Sequence, residues 1–239
     1  MAFSHVADWL FGKGREGIED YHDSIHERFI RNTNIPKILK KHGFALKRLL
    51  DENNFPLLEK SAPDLCADRV EYALREFKHW LNSSIIKGCV KSLVNYNGEI
   101  VFSDQKPAFD FAINYLELQT QHWGGYEAMM RYHLLSNAFK IAIDKEFLSE
   151  NDFYRDEKFV MDKVEKIGDK EIQETLRILK NKKLRKIKNN FGQRVIKKFR
   201  YVDPKIIIGG ELTRLSILSP KFLKILDKHR KINKKGLLV

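Results

Sequence analysis

Cysteine is scarce in this chain: among 239 residues only Cys66 and Cys89 carry a thiol, and their separation is far from any Cys-x-x-Cys spacing. A disulfide framework and a thiolate zinc site are thereby excluded, and both thiols are expected to be reduced core residues. No apolar run reaches the roughly eighteen residues that a membrane span needs. The first residues, with Asp8 among them, lack the basic-then-apolar layout of a signal peptide. A soluble cytoplasmic protein with no membrane partner is the expectation. The glycines at 12 and 14 flank Lys13, but no Gly-Lys-Ser/Thr follows and no strand precedes them, so they are not a phosphate loop. Internal repeats and low-complexity segments are also missing.

The hydrophobic content of 43% is enough for one large helical domain, or one domain with a small appendage. The formal net charge is +12. Such an excess of Lys over acid suits an anionic partner such as a nucleotide phosphate or a nucleic acid, and it also arises wherever a lineage favours Lys.

The most informative stretch is 62–77, APDLCADRVEYALREF. Pro63 can open a helix, because its missing N–H would have had no intrahelical partner. Asp68, Tyr72 and Arg75 fall at i, i+4 and i+7, on one face. Leu65, Val70, Ala73, Leu74 and Phe77 cover most of the remaining surface, which predicts a helix buried nearly all round with a polar stripe at its middle. Buried charge of that kind wants a metal, a phosphate or another side chain. The alternative is an ordinary amphipathic helix carrying a surface ion pair.

Residues 2–11 read as a helix with His5 and Asp8 on one face. A second helix runs over 17–31, with Ile18, Tyr21, Ile25 and Phe29 toward the core, His22 open as a further core-facing residue, and His22 and His26 one turn apart. In 22–26, His-Asp-Ser-Ile-His, two imidazoles at i and i+4 could reach one metal with the adjacent Asp23.

The pattern Asp68, Arg69, Glu71, Tyr72, Arg75, Glu76 resembles the helix that carries the last metal-binding aspartate in HD-superfamily phosphohydrolases of the deoxynucleoside triphosphate triphosphohydrolase type. The opening Ala-Phe-Ser-His, ending at His5, is similar to the end of that family's His-Asp-x-Gly-His-x-(Pro/Ala)-Phe-Ser-His motif. The resemblance implies a mainly α, HD-type helical bundle and a site for a divalent metal, Mg, Mn, Fe or Zn. Asp68 would be a metal ligand. His5 and His26 would be acid/base or phosphate-neutralising histidines, with Asp8 orienting His5, and Tyr72, Arg75 and Arg69 would contact the nucleotide. His26 with Glu27 matches the family's His-Glu pair, so 22–26 is read as a decoy and His22 as a helix-surface residue. Arg131 and His133 are further candidates for the substrate pocket. Because the family's His and His-Asp ligands lie upstream of Phe-Ser-His, the chain is expected to be N-terminally truncated and to have kept only Asp68 of the metal set. Metal binding and hydrolysis by the chain as given would then be weak or absent.

Short helices broken at Pro36, Gly43 and Pro56 lead to the central helix. After it, the period changes over 91–103, where Asn97-Gly98 between alternating residues predicts a small β-hairpin. Pro107 opens a second helical block, broken at Gly124-Gly125 and resuming over 126–147, and two amphipathic helices follow at 152–167 and 170–179. The run 180–200 holds ten Lys or Arg residues and no acid, with Phe191 and Phe199 interleaved. A nucleic-acid or phosphate patch and a solvated or oligomer-edge segment are both open readings. The chain turns β-like over 198–208 until Gly209-Gly210, and Ser219-Pro220 caps a last helix. The expected division is a partial HD-type helical domain at 1–179 and a basic, β-containing region at 180–239. The competing readings are a non-catalytic nucleotide- or nucleic-acid-binding relative and a structural subunit, and a homo-oligomer is open under each.

Overall fold

The computed structural model describes residues 1–12, 21–81, 83–184 and 194–238. The glycine break at 13–14, the start of the second helix at 17–20, and the middle of the basic run at 185–193, Phe191 included, lie outside them. The fold is mainly α. In chain order the helices are α1 (Ser4–Phe11), α2 (Tyr21–Arg31), α3 (Ile35–Lys41), α4 (Leu46–Leu50), α5 (Ala67–Trp80) and α6 (Ile86–Ser92). After the strands β1 (Leu93–Tyr96) and β2 (Glu99–Phe102) come α7 (Gln105–Leu118), α8 (Tyr126–Asp144), α9 (Glu157–Val164) and α10 (Lys170–Leu179). The chain closes with β3 (Arg194–Val195), β4 (Lys205–Ile208), β5 (Glu211–Arg214), α11 (Leu215–Leu218), α12 (Pro220–Lys235) and β6 (Leu237–Leu238). Among the described residues no helix is long and apolar enough to cross a membrane.

The chain forms two compact units. The first comprises Met1–Ile38, Gly125–Lys198 and Gly236–Val239, and the second Leu39–Gly124 and Phe199–Lys235. Both units are assembled from separated stretches, whereas the charge pattern suggested one boundary near 179.

In the first unit α8 is the central element. Phe139 and Ala142 on α8 pack with Ala2 and Val6 at the N-terminus, with Phe153, with Val160 and Val164 of α9, and with Ile172 and Leu176 of α10. The Phe139 ring lies 5.2 Å from Phe3 and 5.3 Å from Phe153, edge to face in both cases. Arg131 clamps the end of α10: it donates to the carbonyls of Leu179 at 2.8 Å and Asn181 at 2.7 Å. Those are carbonyls a helix C-terminus leaves without an internal partner.

The second unit is built on a four-stranded sheet ordered β1-β2-β4-β5. Asn97 and Gly98 sit at φ 50 and 79, and this left-handed pair turns β1 into β2 as the Asn-Gly signal predicts. Gly209 and Gly210, at φ 59 and 89, do the same between β4 and β5. The glycine pair expected to end the β region therefore folds it back into a second hairpin. Phe102 pairs Ile206 in parallel and joins the two hairpins into one sheet. Phe77 of α5, Phe102 of β2, Phe111, Tyr115 and Leu116 of α7 and Phe222 of α12 fill the core.

Two expectations for 62–77 are corrected. The helix begins at Ala67 rather than at Pro63, and the Ala62–Pro63 peptide is cis. Leu65 is extended and bridges Ile100, so sheet pairing takes the residues that propensity assigned to the helix. Cys66 occupies the N-cap position, buried, and Cys89 is buried in α6. Both thiols are free, and burial pushes both up, Cys89 to about 11. Nor is α5 buried all round: Ala73 and Phe77 are buried, whereas Asp68, Glu71 and Arg75 are exposed on the opposite side. A helix with one core-facing stripe needs only that much burial.

Candidate functional site

The candidate site is built by α1 and α2 within the first unit. On α1, Val6 and Ala7 are buried and carry Asp8 inward with them. On α2, Ile25 is the buried anchor. His22 and Phe29 fall on the same side of the helix as Ile25, and His22 is thereby turned toward Asp8.

The Asp8 side chain is fully buried, that of His22 is 28% exposed and that of His5 45%. Nδ1 of His22 lies 2.8 Å from both carboxylate oxygens of Asp8. A carboxylate can only accept, so the ring nitrogen is the donor. The His22 backbone N–H adds a third bond to Oδ1, at 3.0 Å. His5 Nδ1 approaches Asp8 Oδ2 at 3.7 Å, and the two imidazole rings meet edge to face at 5.3 Å. Burial acts to raise the Asp8 pKa. Hydrogen bonds from the His22 and His5 side chains and the His22 backbone, with the charge of His22, outweigh it and hold the carboxyl well below the usual carboxylate range. On its other side the His5 ring lies 6.3 Å from that of Tyr132, and the buried Lys197 ammonium stands 4.6 Å over the tyrosine ring.

Two kinds of chemistry fit this arrangement. Nδ1 of His22 is fixed by a buried carboxylate, and its Nε2, the nitrogen that would do acid/base work, lies 3.3 Å from Oδ1 of the exposed Asp23. This is the Asp–His logic of proton-transfer sites. Among the described residues, His5, Asp8 and His22 are also the one group of three side chains whose ligand atoms, all within 4.8 Å of one another, could hold a metal ion. Donors bonded to one ion at about 2.0–2.1 Å stand roughly 3.3 Å apart. The two separations that involve Asp8, 2.8 and 3.7 Å, lie on either side of that spacing, so these donors suit a divalent ion that would take the place of the Nδ1 proton.

The other predicted residues are placed as follows. His26 is exposed on α2, and its neighbour Glu27 pairs with Arg31 at 2.8 Å. His22, read from the sequence as a helix-surface residue, is the histidine that meets Asp8; its alignment with Ile25 and Phe29 was the available signal. Arg131 is engaged with Glu127 and the end of α10, and His133 with Asn137 at 3.1 Å. Asp68, Arg69, Tyr72 and Arg75 belong to the second unit. There, Arg69 donates to the carbonyls of Lys60 and Asp64 and reaches Glu59 at 3.2 Å. Tyr72 meets the Tyr115 hydroxyl at 2.5 Å, and Arg75 pairs with Glu71 at 3.2 Å. Asp68 is exposed at the first turn of α5.

Comparison with known proteins gives two relatives. The chain is 29% identical over 255 aligned positions to the uncharacterized protein YdhJ of Bacillus subtilis, an alignment that covers the whole chain and 74% of that protein. Over 73 positions it is 44% identical to the metal-dependent phosphohydrolase cns2 of Cordyceps militaris. That match covers 30% of the chain and spans only 20% of the relative's length. No family model matches, and no solved structure matches.

Proposed function

We propose that this chain is a metal-dependent phosphohydrolase, and that its substrate is a cytoplasmic (deoxy)nucleotide hydrolysed in the manner of deoxynucleoside triphosphate triphosphohydrolases. The observation that carries the reading is the buried Asp8 carboxylate holding Nδ1 of His22 on both of its oxygens. Support comes from the 73-position likeness to a metal-dependent phosphohydrolase and from the motifs around His5 and Asp68.

In this reading His22 delivers a proton from Nε2 to the leaving phosphate oxygen, and Asp8 orients the ring and stabilises the positive charge it carries. His5, more exposed beside it, neutralises a phosphate oxygen. A bound divalent ion would polarise the phosphate and lower the pKa of an attacking water. Asp68 as a metal ligand, with Tyr72 and Arg75 as nucleotide contacts, is carried by the family resemblance alone. The geometry favours one second reading, in which His5, Asp8 and His22 themselves hold the ion.

The test is phosphate or tripolyphosphate release from dGTP with Mn²⁺, Mg²⁺ or Zn²⁺, run beside metal titration by calorimetry. Under the first reading, His22→Gln lowers turnover by about 10²–10⁴-fold with metal affinity unchanged. Under the second, the same variant loses the metal. If turnover and metal binding are both indifferent to Asp8→Asn and His22→Gln, the site has been wrongly assigned. Binding of dGTP without turnover at any metal concentration would favour the non-catalytic relative.

A further inference from the structure

The most one-sided charge distribution among the described residues lies on α12, far in sequence from the histidine site. The helix reads PKFLKILDKHRKINKK and carries six lysines and Arg230 against one acid, Asp227, which accepts from Arg230 at 2.9 Å. Its inner side is set by Phe222 and Leu226, both buried in the core of the second unit. At 100° per residue, Lys221, Lys224, Lys228, Lys231 and Lys235 then fall within a wedge of about 80° on the opposite side. All five are exposed. Lys224, Lys228, Lys231 and Lys235 line one shallow surface depression together with Asp227 and Ile232.

The spacing of this row is 3, 4, 3, 4, so each lysine faces a like charge one turn away. Every such pair destabilises a helix, and this helix accumulates four of them in line. A merely solvated face has no need of that regularity, since glutamates at the same spacing would stabilise the helix instead. A line of anions laid along the row relieves the repulsion and releases its own counterions.

We propose that the outer face of α12 binds the phosphate backbone of a nucleic-acid strand. The row runs about 21 Å from Lys221 to Lys235, against one phosphate per about 3.4 Å of axis along a strand. Flexible four-carbon stems let each ammonium find an oxygen without exact register. An anionic bilayer fits less well. A helix lying in a membrane interface needs a continuous apolar face beside its lysines, whereas the exposed apolar residues of α12, Leu223 and Ile232, stand on opposite flanks of the lysine wedge. Backbone contact of this kind carries no base preference.

The test uses the full chain and fluorescence anisotropy with labelled single-stranded and duplex oligonucleotides across a salt series. The triple variant Lys224→Gln, Lys228→Gln, Lys231→Gln is expected to weaken binding more than tenfold at low salt. It should also flatten the slope of log affinity against log salt by about 2–3, at roughly 0.7–0.9 for each phosphate no longer neutralised. A charge-matched control on α3, Lys37→Gln, Lys40→Gln, Lys41→Gln, is expected to stay within about threefold of the parent. Lys228→Gln alone should flatten the slope by about one, a readout that survives if the triple variant folds poorly. Equal losses in the α12 and α3 variants would overturn the proposal, because overall charge would then explain binding. So would no oligonucleotide binding at low salt, tighter binding to phosphatidylcholine–phosphatidylserine vesicles than to oligonucleotide, or competition by inorganic tripolyphosphate as effective as that by nucleic acid at equal phosphate concentration.

Discussion

Asp8 and His22 sit on different helices, yet the carboxylate of one takes Nδ1 of the other on both oxygens at 2.8 Å, with the His22 backbone N–H adding a third bond at 3.0 Å. Removing either partner leaves a buried polar group short of bonds. Asp8→Asn is expected to destabilise the protein by about 1–3 kcal/mol in urea melts. In a double-mutant cycle with His22→Gln, a coupling of at least about 0.5 kcal/mol should appear. The Asp8 pKa is depressed in the fold, so its contribution is complete above the ordinary carboxylate range and is lost only as pH falls below it. Strict additivity of the two variants would show that the pair does not act as a unit.

Arg69 and Arg75 stand six residues apart on α5 and have opposite expectations. Arg69 spends its guanidinium on two carbonyls and Glu59, so Arg69→Ala should cost about 1–3 kcal/mol. Arg69→Lys should recover little, since one ammonium cannot replace the fork. Arg75→Ala and Asp68→Ala remove exposed side chains and should stay within about 0.5 kcal/mol of the parent. Denaturant midpoints decide this. If the two exposed variants hold their stability but lose turnover, Asp68 and Arg75 act on the reaction and not on the fold.

Gly124 closes the π-helical turn Gln119–Trp123, and a Cβ there would stand 2.8 Å from the Gln119 carbonyl oxygen and 2.9 Å from its Nε2. The backbone oxygen cannot swing away as a side chain can. Gly124→Ala should therefore lower stability by about 1–3 kcal/mol, read as a fall in melting temperature; an unchanged melting temperature would mean that the turn relaxes freely.

His229 on α12 is held at 2.8 Å by the Thr120 hydroxyl, which also lies 2.8 Å from the Leu116 carbonyl oxygen. Burial pushes the His229 pKa down, and the Lys228 charge acts in the same direction while Glu117 opposes it. With the folded value below the unfolded one, the unfolded chain takes up the proton more readily as pH falls. Stability is thus full above about 6.5 and declines on acidification through the depressed value. Melting temperatures taken from about pH 7.5 to 5 should show this loss, and His229→Gln should flatten it. An equally steep profile in the variant would assign the acid limb to other groups.

Much of the local structure was legible because it depends on near neighbours. The Asn97–Gly98 hairpin follows from two left-handed residues, and the facing of His5 and Asp8 on α1 follows from a three-residue spacing. Helical periodicity likewise placed α7, α8 and α10, and the regular apolar stripes gave the mainly α class. What the sequence could not decide was the phase in which these pieces meet. His26 lies only about 40° round α2 from His22, and the packing of Ile25 settles which imidazole is presented to Asp8. Residues 64–66 look helical by propensity, but a β-bridge from Leu65 to Ile100, 35 positions away, keeps them extended. Gly209 and Gly210 read equally well as a terminator or a turn until β4 has Phe102 beside it and β5 can extend the same sheet. Spacing fixes which side chains share a face of one element. Which element that face meets is fixed by long-range packing, and the carboxylate–imidazole pair is its product.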